Sequence, residues 1–341
     1  MEKMSKVNNR ILMIVYLIIS VLICGCGANR PRWGYLPTPT GNPFPDPNKL
    51  GNHSSGIGIF MEAAGIVYTC KAGHIDLDHV RGSADVTKYL TEKINETLRQ
   101  NRDTFTLKLT GEWSSHIVTF TYPSNWHQVN DKEKIIREIS LEAAPYLAMN
   151  AMTWHEILTW FGTRFLGFEP EFNSAFSWED VYSNLVGAKL GAAAIQDNAN
   201  SFDKAMTLLI YKTLKELKVR PRSVAIAASK SVEGRWYVGN FLPDTKMRNF
   251  DIGLDGSITP LLIDNVPGCE DCRPAALTMP SLQSLKDYGF TLTHEIKPNV
   301  FEQEKIFRAA GSYKIFPEKH YPVLLEFMKR QAHGKGYSFA E

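Results

Sequence analysis

The sequence predicts an α+β fold, with a helical centre over about residues 131–218 and small antiparallel strand elements on either side. Three observations carry this expectation. The chain has 341 residues, 44% hydrophobic and 22% charged, a globular composition long enough for a sizeable core. Apolar residues recur at helical spacing through the centre, and short runs on either side alternate apolar with polar. No run of about 18 apolar residues supports a polytopic membrane protein.

The first 25 residues read as an address. Lys3, Lys6 and Arg10 precede an apolar run over 11–23, which ends at Cys24, Gly25 and Cys26. A basic start, a short apolar run and a small-residue cut site describe a secretory signal, and the run is short for a membrane span. Residues 26–56 form a tether in which Pro31, Pro37, Pro39, Pro43, Pro45 and Pro47 oppose helix and central strand and favour an extended chain. Residues 57–341 read as one globular domain, with a sub-boundary open near 220.

Within the body, 57–69 and 114–122 read as strands, with 104–110 a partner of the second. Val86, Leu90, Ile94 and Leu98 place a helix over 84–100. Residues 131–150 and 153–161 read as helices broken near Pro145, followed by helices at 177–195 and 202–218. A hairpin over 235–263 turns at Leu254-Asp255-Gly256-Ser257, and 280–287 and 321–332 close the chain as helices.

The net charge of +2 is accounted for by Lys3, Lys6 and Arg10 against Glu2, so the body is neutral. That argues against nucleic acid as partner. The absence of a Gly-x-Gly-x-x-Gly or phosphate loop argues against a nucleotide.

Four places could carry chemistry. In the first, His74, Asp76, Asp78, His79 and Arg81 follow a strand and Cys70. On a helical turn Asp76 and His79 share a face; extended, Asp76 and Asp78 do. The plainer alternative is a polar loop with a capping Asp. In the second, His155-Glu156 lies between Trp154 and Ile157, where Thr153-x-x-Glu156 also fits a capping box. In the third, Asp180, Asn184, Gly187 and Gly191 form one helical stripe, and Ser177-x-x-Asp180 fits a cap. In the fourth, Cys269-x-x-Cys272 reads as a loop disulfide in an oxidising compartment, with pairing of one of them to Cys70 left open. Cys70 with His79 or His74 could also form a cysteine-hydrolase pair, although Cys70 ends a strand instead of opening a helix.

Three resemblances add to these readings. Ile23-Cys24-Gly25-Cys26 resembles a bacterial lipobox, in which Cys26 becomes the acylated N-terminus, and Gly27 after it implies the outer membrane, facing the periplasm. His155-Glu156, followed by Asp180, Asn184 and Gly187, resembles the thermolysin-type gluzincin metallopeptidases. That resemblance implies His155 and Asp180 as ligands of a zinc ion, Glu156 as general base and Asn184 as the residue orienting a ligand. It departs at Thr159, where the second histidine is missing, so His79 or His74 would have to supply that nitrogen. Finally, the Tyr68-Thr69-Cys70 and Ser174–Asn184 segments resemble an uncharacterised family of bacterial lipoproteins with a domain of unknown function.

Two functions therefore stand as expectations. One is a lipid-anchored hydrolase with one divalent metal, acting on envelope peptides or peptidoglycan. The other is a non-catalytic envelope lipoprotein that binds or scaffolds, with the same residues as caps and buried hydrogen bonds.

Overall fold

The computed structural model describes residues 44–55, 62–109, 112–162, 164–165, 169–239 and 244–340. The signal segment, Cys26, most of the tether and residues 57–61 of the first expected strand lie outside these. Among the described residues no helix is long and apolar enough to cross a membrane.

The fold is α+β. It opens with an antiparallel hairpin of β1 (Ile66–Thr69) and β2 (Gly73–Asp76), turned at Gly73 with φ +63°. Asp76 ends β2 and caps α1 (Leu77–Arg99), its side chain accepting from the Asp78 and His79 amides. The helix therefore starts seven residues before the expected 84. β3 (Thr104–Leu107) and β4 (Ser115–Thr121) follow as the expected pair. α2 (Lys132–Trp160) then runs unbroken through Pro145. The proline forfeits one backbone bond, and the burial of Ala143, Ala144, Leu147 and Ala148 around it holds the helix together.

Short strands β5 (Arg164–Phe165) and β6 (Glu169–Pro170) lead to α3 (Asp180–Gln196), α4 (Phe202–Glu216) and α5 (Arg222–Ser231). The remaining third is made of small pieces. β7 (Tyr237–Val238) pairs with β8 (Asp244–Thr245), and β9 (Met247–Asn249) precedes β10 (Ser257–Ile258), which pairs with β11 (Leu277–Thr278). The expected turn at 254–257 exists, but its flanks pair elsewhere, so the 235–263 hairpin does not form. α6 (Gln283–Asp287) and β12 (Thr291–Lys297) follow, then α7 (Gln303–Ala310), α8 (Pro317–Gly334) and β13 (Ser338–Ala340). β12 joins β4 antiparallel to make the sheet β12-β4-β3, and β13 pairs with β9 in parallel.

α1, α2 and α3 pack around one apolar core with Leu90, Leu147, Trp154, Leu185, Phe120, Ile296 and Met328 in it. α1 and α3 touch at backbone distance. A Cβ on Gly187 would stand 2.2 Å from the Val80 carbonyl oxygen, and one on Gly191 would stand 2.8 Å from that of Ala84. This close approach brings the start of α3 against the start of α1.

The disulfide joins Cys70 to Cys269 across 199 residues, with Cα atoms 4.9 Å apart. Cys272 is a free thiol. This corrects the expected Cys269–Cys272 staple. A tight turn with the Cys272 amide bonded to the Cys269 carbonyl leaves Cys269 facing the β1 end instead. It also removes the cysteine-hydrolase reading, since Cys70 has no thiol to ionise.

A candidate metal centre

The site is built from three helices and the cap of one of them. His79 stands in the first turn of α1, Asp180 is the first residue of α3, and Glu156 lies one turn before the end of α2. Their ligand-capable atoms lie within 4.8 Å of one another. His79 Nε2 is 3.3 Å from Asp180 Oδ1 and 3.7 Å from Glu156 Oε1. On its other side, His79 Nδ1 is 3.2 Å from Asp76 Oδ2. Glu156 and Asp180 are buried, while the His79 side chain keeps 13% of its surface exposed.

Each carboxylate divides its oxygens between the backbone and the imidazole. Glu156 Oε2 accepts from the Phe176 amide at 2.7 Å, and Asp180 Oδ2 accepts from the Ser177 amide at 2.7 Å. Asp76 Oδ1 accepts from the Asp78 and His79 amides at 2.7 and 3.2 Å. The remaining oxygen of each carboxylate faces His79. The backbone bonds fix the three carboxylates in place before any ligand arrives, and α1 and α3 turn their positive N-termini towards Asp76 and Asp180.

Burial and mutual charge set the protonation of this cluster. Burial alone would push the His79 imidazole down, but the Asp180 and Asp76 carboxylates and the bond to Glu156 hold it well above its ordinary value. Burial, with Glu156 beside it, raises Asp180 well above the carboxylate range. Burial works upward on Glu156 and Asp76 too, and the contacts with His79 outweigh it and leave both lowered. Glu179 is pushed up to about 7 by burial and by Asp76, and Asp78 to about 7 by the same causes.

The sequence-derived residues are placed as follows. His79 and Asp180 meet over α2 as the metal expectation required. The residue of α2 that meets them is Glu156. His155 turns to Glu112, with Nδ1 2.9 Å from Oε1. Consecutive helical residues point about 100° apart, so a helix that presents Glu156 to α1 and α3 cannot present His155 there as well. His155 lies outside the cluster, and Glu156 is the residue of α2 that joins His79 and Asp180 in it. Asn184 lies buried one turn beyond Asp180, its Oδ1 without a hydrogen-bond partner among the described residues. His74 is in an aromatic nest, its Nδ1 accepting from Trp178 Nε1 at 3.1 Å, and burial pushes it down to about 4. Of the two predicted caps, one is half present, with Asp180 reaching back to the Ser177 amide, and the other is absent, because Thr153 and Glu156 lie inside a continuous helix. Sequence reasoning missed Asp76 as the partner of His79 Nδ1 in the assembled site, although the i,i+3 spacing signalled the pair.

Residues 43–255 match a protein family of unknown function, DUF4056. The chain belongs to this family. The matched span contains Asp76, His79, Glu156 and Asp180, so the whole cluster is part of the DUF4056 region, and β12 and α8 add to its core from outside it. No curated protein and no solved structure matches the chain.

A divalent ion fits this donor set. Tetrahedral bonds of about 2.0–2.2 Å place ligand atoms roughly 3.3–3.6 Å apart, and the two measured separations from His79 Nε2 are 3.3 and 3.7 Å. Were these three residues to hold an ion, a fourth position would be left for water, the pattern of catalytic zinc sites. Asp76 on the far nitrogen of His79 is the outer carboxylate that commonly fixes the tautomer of a ligating imidazole.

Proposed function

We propose that this DUF4056 protein is a lipid-anchored envelope protein whose helical core binds one divalent ion, zinc first, through His79 Nε2, Glu156 and Asp180. The reaction class we assign is metal-assisted hydrolysis, with envelope peptides or peptidoglycan as substrates. The observation that carries the reading is the convergence of one imidazole and two buried carboxylates from three helices on a common point. An ion there would supply an activated water at neutral pH. Asp76 orients His79, and the Phe176 and Ser177 amides orient the two carboxylates. The partly exposed His79 leaves a side from which a substrate can approach. The anchor rests on the 11–23 apolar run and Cys26 in the sequence, and it puts the body at the outer membrane, facing the periplasm.

A second reading is supported by the backbone bonds of the same carboxylates. Glu156 and Asp180 pin residues 176 and 177 to α2 and α3, which is what a purely structural polar cluster in a binding or scaffolding module would do. Metal analysis separates the two. Protein purified without chelators should carry near-stoichiometric metal, and Glu156→Gln should lose it. Wild-type protein that is metal-free and takes up neither zinc nor manganese would leave only the scaffold. Replacing Cys26 by Ser should release the protein from membranes; unchanged fractionation would remove the anchor.

A further inference from the structure

The four most exposed large hydrophobic side chains among the described residues are Tyr313 at 88%, Trp113 at 80%, Phe301 at 76% and Val300 at 72%. The sheet brings all four to one end. Ser115, the first residue of β4, pairs with Lys297, the last of β12. Trp113 therefore precedes β4 at the same end at which Val300 and Phe301 follow β12. Asn299 Nδ2 donates to the Glu112 carbonyl at 3.3 Å and ties the two segments. On the other edge of β12, Ile296 bridges Ile315 antiparallel, its amide donating to the Ile315 carbonyl at 2.7 Å. Tyr313, two residues earlier, thus runs to that end too. The segments that carry the four therefore leave neighbouring strands, about 4.8 Å apart, at one end of the sheet.

The backbone at Trp113 has φ +60°, a left-handed conformation that bulky residues rarely adopt, and its indole stays in solvent instead of joining the core. The charge around these tips is basic. Lys108 and Lys297 are exposed at the same sheet end. Glu112 and Glu302 are buried, and Glu295 is paired with Lys314 at 3.7 Å.

We propose that this sheet end is a bilayer-contact surface that seats the body on an anionic phospholipid membrane. Trp and Tyr favour the headgroup level, Phe and Val the acyl boundary, and lysines beside them the anionic headgroups. The sequence ahead of residue 44 supplies the route: an apolar run, Cys26 and a Pro-rich stretch over 27–43 that reaches about 50 Å when extended. The inference rests on the anchored reading only for how the body arrives at a bilayer.

The test uses the full chain with vesicles of phosphatidylethanolamine and phosphatidylglycerol doped with acyl-brominated lecithin. Flotation reports the anchor. The fluorescence difference between wild type and Trp113→Phe reports Trp113 alone. The expected result is that this difference signal is quenched by brominated lipid and shielded from aqueous acrylamide, and that Phe301→Glu reduces the lipid quenching severalfold. A chain that floats while Trp113 remains open to acrylamide overturns the surface and leaves the anchor standing. Shielding of Trp113 from both quenchers overturns it in favour of a protein contact. A chain that neither floats nor shows lipid quenching overturns both.

Discussion

Asp180→Asn is the substitution that separates the metal reading from the structural one most cleanly. In the metal-free protein, burial beside Glu156 pushes the Asp180 carboxyl well above its ordinary value, towards the uncharged acid. Asparagine is close to isosteric with that form, and its carbonyl oxygen can still accept from the Ser177 amide, a bond of 2.7 Å in the native chain. The metal-free variant keeps that bond but loses the pairing of Asp180 with His79 Nε2 at 3.3 Å, so it should lose about 1–3 kcal/mol. The response to metal should differ sharply. Free zinc at about 100 times the dissociation constant stabilises a binding fold by about 2.7 kcal/mol. With an unfolding entropy near 2.1 cal/mol/K per residue over roughly 300 residues, that raises Tm by about 4 °C. Thermal unfolding followed by circular dichroism, with and without zinc after chelation, measures both quantities. Wild type should gain about 4 °C, and Asp180→Asn should gain almost nothing. An unmoved wild-type Tm with zinc and with manganese, or an equal gain in the variant, would refute the argument.

Two further outcomes follow from other parts of the fold. Peptide mapping without reduction should recover Cys70 joined to Cys269 and Cys272 alkylated; because the closed loop spans 199 residues, reduction should cost up to about 5 kcal/mol in the chain-entropy account, and recovery of a Cys269–Cys272 peptide would contradict the fold near β1. His116 and His294 face each other inside the sheet at 3.0 Å, both pushed down by burial, His294 to about 3. Since the unfolded chain takes up these protons below about pH 6.5 and the folded chain does not, stability should fall as pH drops from there towards 3. Urea unfolding at stepped pH should show that fall, and a double His116→Gln/His294→Gln variant with an equally steep fall would exclude the pair as its source.

The elements that the sequence announced best were those with local signals. β4 and its partner β3 were legible from alternation, and α3 and α4 from apolar spacing. The start of α1 was hidden because Gly82 and Ser83, just ahead of the expected start at 84, are poorer helix formers. Small side chains at Ser83 and Ala84 let α3 come within backbone contact at Gly187 and Gly191, a requirement set by a segment a hundred residues away. Among the short strands after 235, β9 was unreadable for the same reason, because its partner β13 lies far along the chain, whereas β7, β8, β10 and β11 have two residues each and are too short to show alternation. In the site, Asp76-x-x-His79 and Asp180 were readable as spacings. Glu156 in its actual place was not, because a motif match fixed attention on His155. The helical phase held the better signal. Met149, Met152, Glu156 and Trp160 share one face of α2, all of them buried, and a carboxylate in an apolar stripe needs a charged partner.

The charge of the cluster makes a last prediction that is independent of any enzyme assay. A structural cap needs one oxygen, and Ser or Asn would serve; here three carboxylates surround one imidazole, and burying them is costly unless they are balanced. Without metal, protons do part of the balancing: His79 is held towards its cation and Asp180 pushed towards its acid, while Asp76 and Glu156 are held towards their ionised forms. A divalent ion on His79 Nε2 and the two facing oxygens needs His79 neutral and Asp180 ionised. It therefore competes with protons for these two groups. Binding should release protons, and affinity should rise with pH. Calorimetric titration of zinc in buffers of different ionisation enthalpy reads the proton count directly. Tight binding with no proton release would show that the ion sits elsewhere, and would break the link between this cluster and the metal.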